Sequence, residues 1–88
     1  MDYFKYLNRP DEFKIQFLGR LQSDCKFMIE SRTGDPALLW AHDIRDQIDL
    51  MRALYHSISA PYLQLLQIND SIITGYYLDM IRAAGLPF

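Results

Sequence analysis

Hydrophobic residues recur along this chain at spacings of three and four in three separate stretches, which is the period of an amphipathic helix. The first stretch carries Phe13, Phe17, Leu21, Cys25 and Met28, widened by Leu18 and Ile29, and the periodicity assigns Lys14, Arg20, Gln22, Asp24 and Glu30 to the other, solvated side. It is introduced by Asn8-Arg9-Pro10-Asp11-Glu12, where Asn8 or Arg9 precedes a proline suited to the first helical position. The two carboxylates that follow meet the positive end of the helix dipole. Arg20 with Asp24, and Lys26 with Glu30, supply pairs four residues apart. The helix is expected to stop near Ser31, because Gly34 suits a positive φ and Pro36 cannot continue the pattern.

A compact apolar stretch follows, Pro36-Ala37-Leu38-Leu39-Trp40-Ala41, in which Asp35 is placed to cap one helical turn and Trp40 to anchor it. The second long helix begins at about Asp43. Its face is Ile44, Ile48, Met51, Tyr55 and Ile58, broadened by Leu50 and Leu54, with Arg45, Asp46, Asp49 and Arg52 opposite. Residues 59–68 read as a short helix starting at Pro61 in preference to a buried strand. Asn69, Asp70 and Ser71 are all good N-caps for a final helix marked by Ile73, Tyr77, Met80, Ile81 and Ala84, which ends at Gly85. Gly75 inside it costs about 1 kcal/mol relative to alanine, so the helix is expected either to fray there or to meet a neighbour closely. The expected fold is all-α: one domain over residues 1–88, a small bundle of three main helices plus one or two short ones.

The 88 residues suffice for a single core, and half of them are hydrophobic, which excludes disorder as the default. Nine Lys and Arg against eleven Asp and Glu give a net charge of -2 without a basic stripe, so nucleic acid is disfavoured as a direct partner. A local cluster of Arg20, Lys26 and Arg32 is the best that reading can offer, and carboxylates flank it. With Cys25 as the sole cysteine no internal disulfide forms, and no apolar run is long enough to span a bilayer. The first residues lack the pattern of a signal peptide, so the expected location is the cytosol.

Candidate chemistry is sparse. Cys25 falls on the apolar stripe, where packing explains it better than nucleophilic catalysis does. His42 and His56 are too far apart on one helix to share a metal ion. Asp43, Asp46 and Asp49 recur at intervals of three, but Arg45 and Arg52 flank them and a solvated face is the better account. No phosphate loop, dinucleotide fingerprint or nucleophile elbow is present. These observations point away from an enzyme and from any cofactor or metal. Tyr3, Phe4, Tyr6 and Leu7 precede the bundle, and Leu86 and Phe88 follow it. They read first as caps over the open ends of the core; if they do not fold back, they form an exposed aromatic surface of the kind that binds partners.

The stretch Phe17-Leu18-Gly19-Arg20-Leu21-Gln22-Ser23-Asp24-Cys25-Lys26-Phe27, with Leu38-Leu39-Trp40-Ala41 and Asp46-Gln47-Ile48-Asp49-Leu50-Met51-Arg52-Ala53-Leu54-Tyr55, resembles the large polyvalent protein-associated domain of the eleventh numbered type. The likeness covers residues 13–58; residues 27–34 depart from the aromatic pair and glycine-asparagine turn usual in that family. Arg20, Asp24, Cys25, Trp40 and Tyr55 carry it. Fold maintenance is their expected role, with Trp40 and Tyr55 as core anchors and Arg20 and Asp24 as a surface pair; a buried Trp40 would cost about 3–5 kcal/mol on replacement by alanine. The resemblance implies a setting more than a mechanism: proteins of phages, plasmids and conjugative elements, without established catalytic residues. From it we expect a stoichiometric inhibitor of a host defence complex, with a CRISPR–Cas effector as the favoured target. The alternatives are a self-assembling structural or regulatory module, with a homodimer as its simplest form, and a weak nucleic-acid-binding domain. The residues expected to contact a partner are Tyr3, Phe4, Tyr6, Arg20, Arg32, Arg45, Tyr62 and Tyr76, chosen because exposed aromatics and arginines dominate interface energies.

Overall fold

The computed structural model describes residues 4–32 and 34–86. Tyr3, Phe88 and the side chain of Phe4 lie outside the described residues. Five helices follow in order: α1 (Phe4–Leu7), α2 (Asp11–Ser31), α3 (Ile44–Ser57), α4 (Ala60–Leu63) and α5 (Asp70–Ala83), with one 3-10 turn, Pro36–Leu38, between α2 and α3. Among the described residues there is no strand, and the all-α bundle of three main helices with short additions is the observed fold. No helix among them is long and apolar enough to cross a membrane.

Each of the three long helices packs on the other two, α3 against α5 most extensively. The core is built from Leu18, Leu21, Cys25 and Met28 of α2, Ile48, Leu50, Met51 and Leu54 of α3, and Ile73 and Met80 of α5, with Leu39 from the connecting loop. The broad stripe of α3 has a reason: it must face α2 and α5 at once, so Leu50 and Leu54 are as buried as Ile48 and Met51. Polar contacts fix the register at the seams. Gln22 Nε2 donates to the Tyr76 hydroxyl at 2.7 Å between α2 and α5. Between α3 and α5, Arg52 Nη2 donates to Thr74 Oγ1 at 2.8 Å and His56 Nε2 meets Asp70 Oδ1 at 2.9 Å.

Helix ends follow local chemistry, with differences in detail. The Asp35 carboxylate accepts from the Ala37 amide, Asp43 from Asp46 and Asn69 from Ile72. Pro10 is the N-cap of α2 and not its first helical residue, since its ψ of 157° is extended and the helix starts at Asp11. At the other end Arg32 takes the left-handed conformation, φ 55°, that the sequence suggested for a glycine. Gly34 is left-handed too, φ 64°, for a tighter reason: a Cβ there would lie 2.7 Å from the Ala83 carbonyl oxygen and the Ala84 Cα, so the loop lies directly on the end of α5. Gly75 makes no close helix contact, because a Cβ there would find nothing within 4 Å.

Two placements reverse the periodic reading. Lys14 is buried, not solvated: residues 14, 18, 21 and 25 share one helical face, and the lysine lies at its N-terminal end. Its ammonium donates to the Ser57 carbonyl at 3.0 Å and the Ser57 hydroxyl at 3.2 Å, which caps the end of α3 with a positive charge. Nearby, Tyr62 donates to Glu12 at 3.1 Å, and the Ser59 hydroxyl, with Lys14 adding to it, holds the Asp11 carboxyl below the usual carboxylate range. Trp40 is the second reversal. It is 41% exposed, and Leu39 beside it is the buried residue that anchors the loop. Tyr55 is half-buried at the core's edge, packed on His56 at 5.4 Å.

The two glycines give opposite expectations. Gly34→Ala combines a left-handed backbone with a backbone collision and lowers the unfolding free energy by about 2 kcal/mol or more. Gly75→Ala gains helix propensity in open space and raises it by about 0.5–1 kcal/mol. Urea denaturation of both variants measures this.

Candidate protein-binding surface

Two exposed aromatic residues, Phe13 and Trp40, gather with the half-buried Tyr6 around one ring, while Phe27, exposed farther along α2, is not among them. Phe17 projects from α2 at the edge of the core, and three rings rest on it: Tyr6 at 4.9 Å, Phe13 at 5.8 Å and Trp40, edge to face, at 5.4 Å between centroids. Sequence explains the convergence. Phe13 precedes Phe17 by one helical turn, α1 folds Tyr6 back over the same turn, and the loop after Leu38 carries Trp40 across α2. Each of the three outer rings also holds a cation: Lys5 lies 5.0 Å from the Tyr6 centroid, Arg9 5.2 Å from Phe13 and Arg20 5.3 Å from Trp40.

Trp40 is held outward by its backbone. Its amide donates to Asp24 Oδ2 at 3.1 Å, and the next amide, that of Ala41, donates to Gln47 Oε1 at 3.0 Å. Asp24 Oδ1 also lies 3.7 Å from Arg20 Nε, so one carboxylate positions both the indole's backbone and the guanidinium stacked on it. Arg20 and Trp40 form a ridge with a cleft on either side. One, about 280 Å³, is lined by Tyr6, Phe13, Gln16 and Phe17 in addition to the ridge. The other, about 400 Å³, is lined by Asp24, Ala37, Leu38, Leu39 and His42 as well.

The residues expected to contact a partner divide on this geometry. Tyr6 and Arg20 line the same cleft. Arg32 borders a separate cleft with Ile29, Asp79, Arg82 and Ala83, and Arg45 another with Arg52, Tyr77 and Leu78. Tyr62 and Tyr76 are half-buried, Tyr76 accepting from Gln22 at a partly buried seam and Tyr62 donating to Glu12 at the surface. Phe4 belongs to α1, and Tyr3 lies outside the described residues. The surface adds Phe13, Trp40 and Arg9, which the sequence reading did not select. Their signal was present in part: Phe13 opens the apolar stripe at its edge, and Leu38-Leu39-Trp40 has three large apolar residues in a turn that can bury only one of them well.

Cys25 lacks the environment of a nucleophile. Desolvation first, and the Asp24 charge second, push the Cys25 thiol up to about 12, and its Sγ is 3.6 Å from the Met51 sulfur. Among the described residues no three of His, Cys, Asp and Glu come together as a metal site. The Cys25 environment cuts thiolate at neutral pH by roughly a thousandfold relative to a free cysteine. A thiol-specific colour reagent should therefore react with the chain only as fast as it unfolds, and stoichiometric reaction within minutes under native conditions would contradict the burial.

No curated protein and no solved structure matches the chain. A family model does: that of the large polyvalent protein-associated domain 11 matches residues 11–70, from the first residue of α2 to the first of α5. The match is longer at both ends than the core of residues 13–58 suggested by the motifs, and it takes in α4 together with the Asp11, Glu12 and Lys14 contacts that hold it to α2 and α3. Spanning more than half of the sequence and containing the whole Arg20, Asp24 and Trp40 clasp, this match makes the chain a member of the large polyvalent protein-associated domain 11 family.

Proposed function

We propose that this chain is a non-catalytic protein-interaction module of a mobile genetic element, which inhibits a host defence complex by stoichiometric binding, with a CRISPR–Cas effector as the expected target. The observation that carries the binding role is the outward, clasped Trp40. A tryptophan left 41% exposed in so small a protein, next to Phe13 and stacked under Arg20, has the composition of an interface hot spot. Area is sufficient as well: a partner footprint of about 800 Å² is roughly a seventh of the chain's 5474 Å² of accessible surface. One face of the bundle can supply it. The deep burial of Cys25 favours binding over nucleophilic catalysis. The inhibitory role and the target are carried over from the resemblance, whose setting is phages and conjugative elements.

The test is a tagged pull-down from a host lysate that contains its defence systems, after nuclease treatment and at two salt concentrations, with wild type and Trp40→Ala compared. We expect one defence effector to be retained by wild type under all conditions and lost with Trp40→Ala, whose helical circular dichroism is unchanged. Recovery of the chain alone, sedimenting as a dimer, would replace inhibition by self-assembly; recovery that depends on nucleic acid would replace it by nucleic-acid binding.

A further inference from the structure

We propose that the Trp40 surface takes an acidic, apolar segment of its partner protein, one with Asp or Glu residues around a single large hydrophobic side chain. This rests on the protein-binding role above and names the chemistry that the surface selects. The charge of the face is the first argument. Lys5, Arg9 and Arg20 stand on it, and among the described residues Asp24 is the one carboxylate that lines its two clefts, although the whole chain carries a net charge of -2. The other carboxylates at this end of α2 are engaged elsewhere, Asp11 with Ser59 and Lys14, and Glu12 with Tyr62. A positive face on an acidic protein selects a negative partner.

The second argument is geometric. Arg20 approaches Asp24 through Nε at 3.7 Å, outside hydrogen-bond distance, and its terminal nitrogens make no hydrogen bond among the described residues. A guanidinium lying on an aromatic ring keeps its in-plane N–H fork for a carboxylate, and the ring holds it ready at little entropic cost. Arg9 on Phe13 repeats the pairing of a guanidinium with a ring, and Phe13 lines the same cleft as Arg20. The cleft of about 280 Å³, lined by Arg20, Phe13 and Phe17 among others, has room for one large apolar side chain. Single-stranded nucleic acid fits less well. Stacking needs bare aromatic faces, whereas each outer ring already carries a cation.

The experiment is selection of a random dodecapeptide phage library on the full chain, in parallel with an Arg9→Gln, Arg20→Gln double variant. Synthetic versions of the selected peptides are then titrated at low and high salt, with the Trp40 indole resonance followed by NMR and a thymidine oligonucleotide as competitor. We expect Asp and Glu enriched about twofold or more over the unselected library, and binding that shifts the indole resonance and weakens about tenfold in the double variant and again in high salt. Acidic peptides that bind the double variant equally well would overturn the proposal. So would selected peptides that are neutral or basic; if these still shift the Trp40 resonance, the acidic chemistry fails while the protein-binding role stands. Displacement by the oligonucleotide, itself bound at Trp40, would assign the surface to nucleic acid.

Discussion

Two consecutive backbone amides, those of Trp40 and Ala41, have no helix to satisfy them, and the fold meets both with side chains. Asp24 of α2 accepts from the first, and Gln47 of α3 accepts from the second. Gln47 is fully buried, and its amide nitrogen donates in turn to the Leu21 carbonyl at 3.3 Å. A buried amide is tolerable only when both of its ends are bonded, so this side chain accepts one arrangement of loop and helices and resists others. From it follow the position of the 3-10 turn, the burial of Leu39 and the outward course of the next residue. The ridge of Arg20 and Trp40 is a consequence of how the loop is tied down.

The long helix α2 therefore has two jobs on opposite edges. One edge, from Lys14 through Leu18, Leu21 and Cys25, faces the bundle, and even the ammonium there is used inside, on the end of α3. The other edge holds Phe13, Gln16 and Arg20 at the surface, where they meet Tyr6 and Trp40. Phe17 lies between the two and belongs to both, buried in the core and touched by all three outer rings. A partner seated on the rings, as we propose, would press on the core through Phe17 and so couple its binding to stability.

The three helices were legible because burial has a period, and the period is strong in residues 13–29, 44–58 and 73–84. Capping was legible too, since Asp35, Asp43 and Asn69 act through backbone amides two or three residues away, within reach of local reasoning. What failed was non-local. Lys14 looked solvated because lysine usually is, and only the arrival of Ser57 from α3 gives its charge a partner inside. Trp40 looked like a core anchor because tryptophan usually is, and Leu39 took that place because the bonds from Asp24 and Gln47 decide which neighbour faces in. The bonds of Tyr62 to Glu12 and of Tyr76 to Gln22, from 50 and 54 residues away, were likewise beyond local reasoning. Of the surface itself, Tyr6 and Arg20 were foreseen, while Phe13 and Arg9 needed the fold of α1 to join them.

The fold uses Gln47 to hold the loop and leaves Trp40 exposed on the ridge that we propose as a binding surface. Equilibrium unfolding of Gln47→Ala and Trp40→Ala, side by side, tests it most directly. Gln47→Ala should be the worse, losing about 3 kcal/mol or more from an orphaned amide and a cavity. Trp40→Ala should lose only about 1–2 kcal/mol, from one ring contact and one cation–π contact. The reverse order would mean that Trp40 serves the core, and that the ridge is packing and not a binding surface.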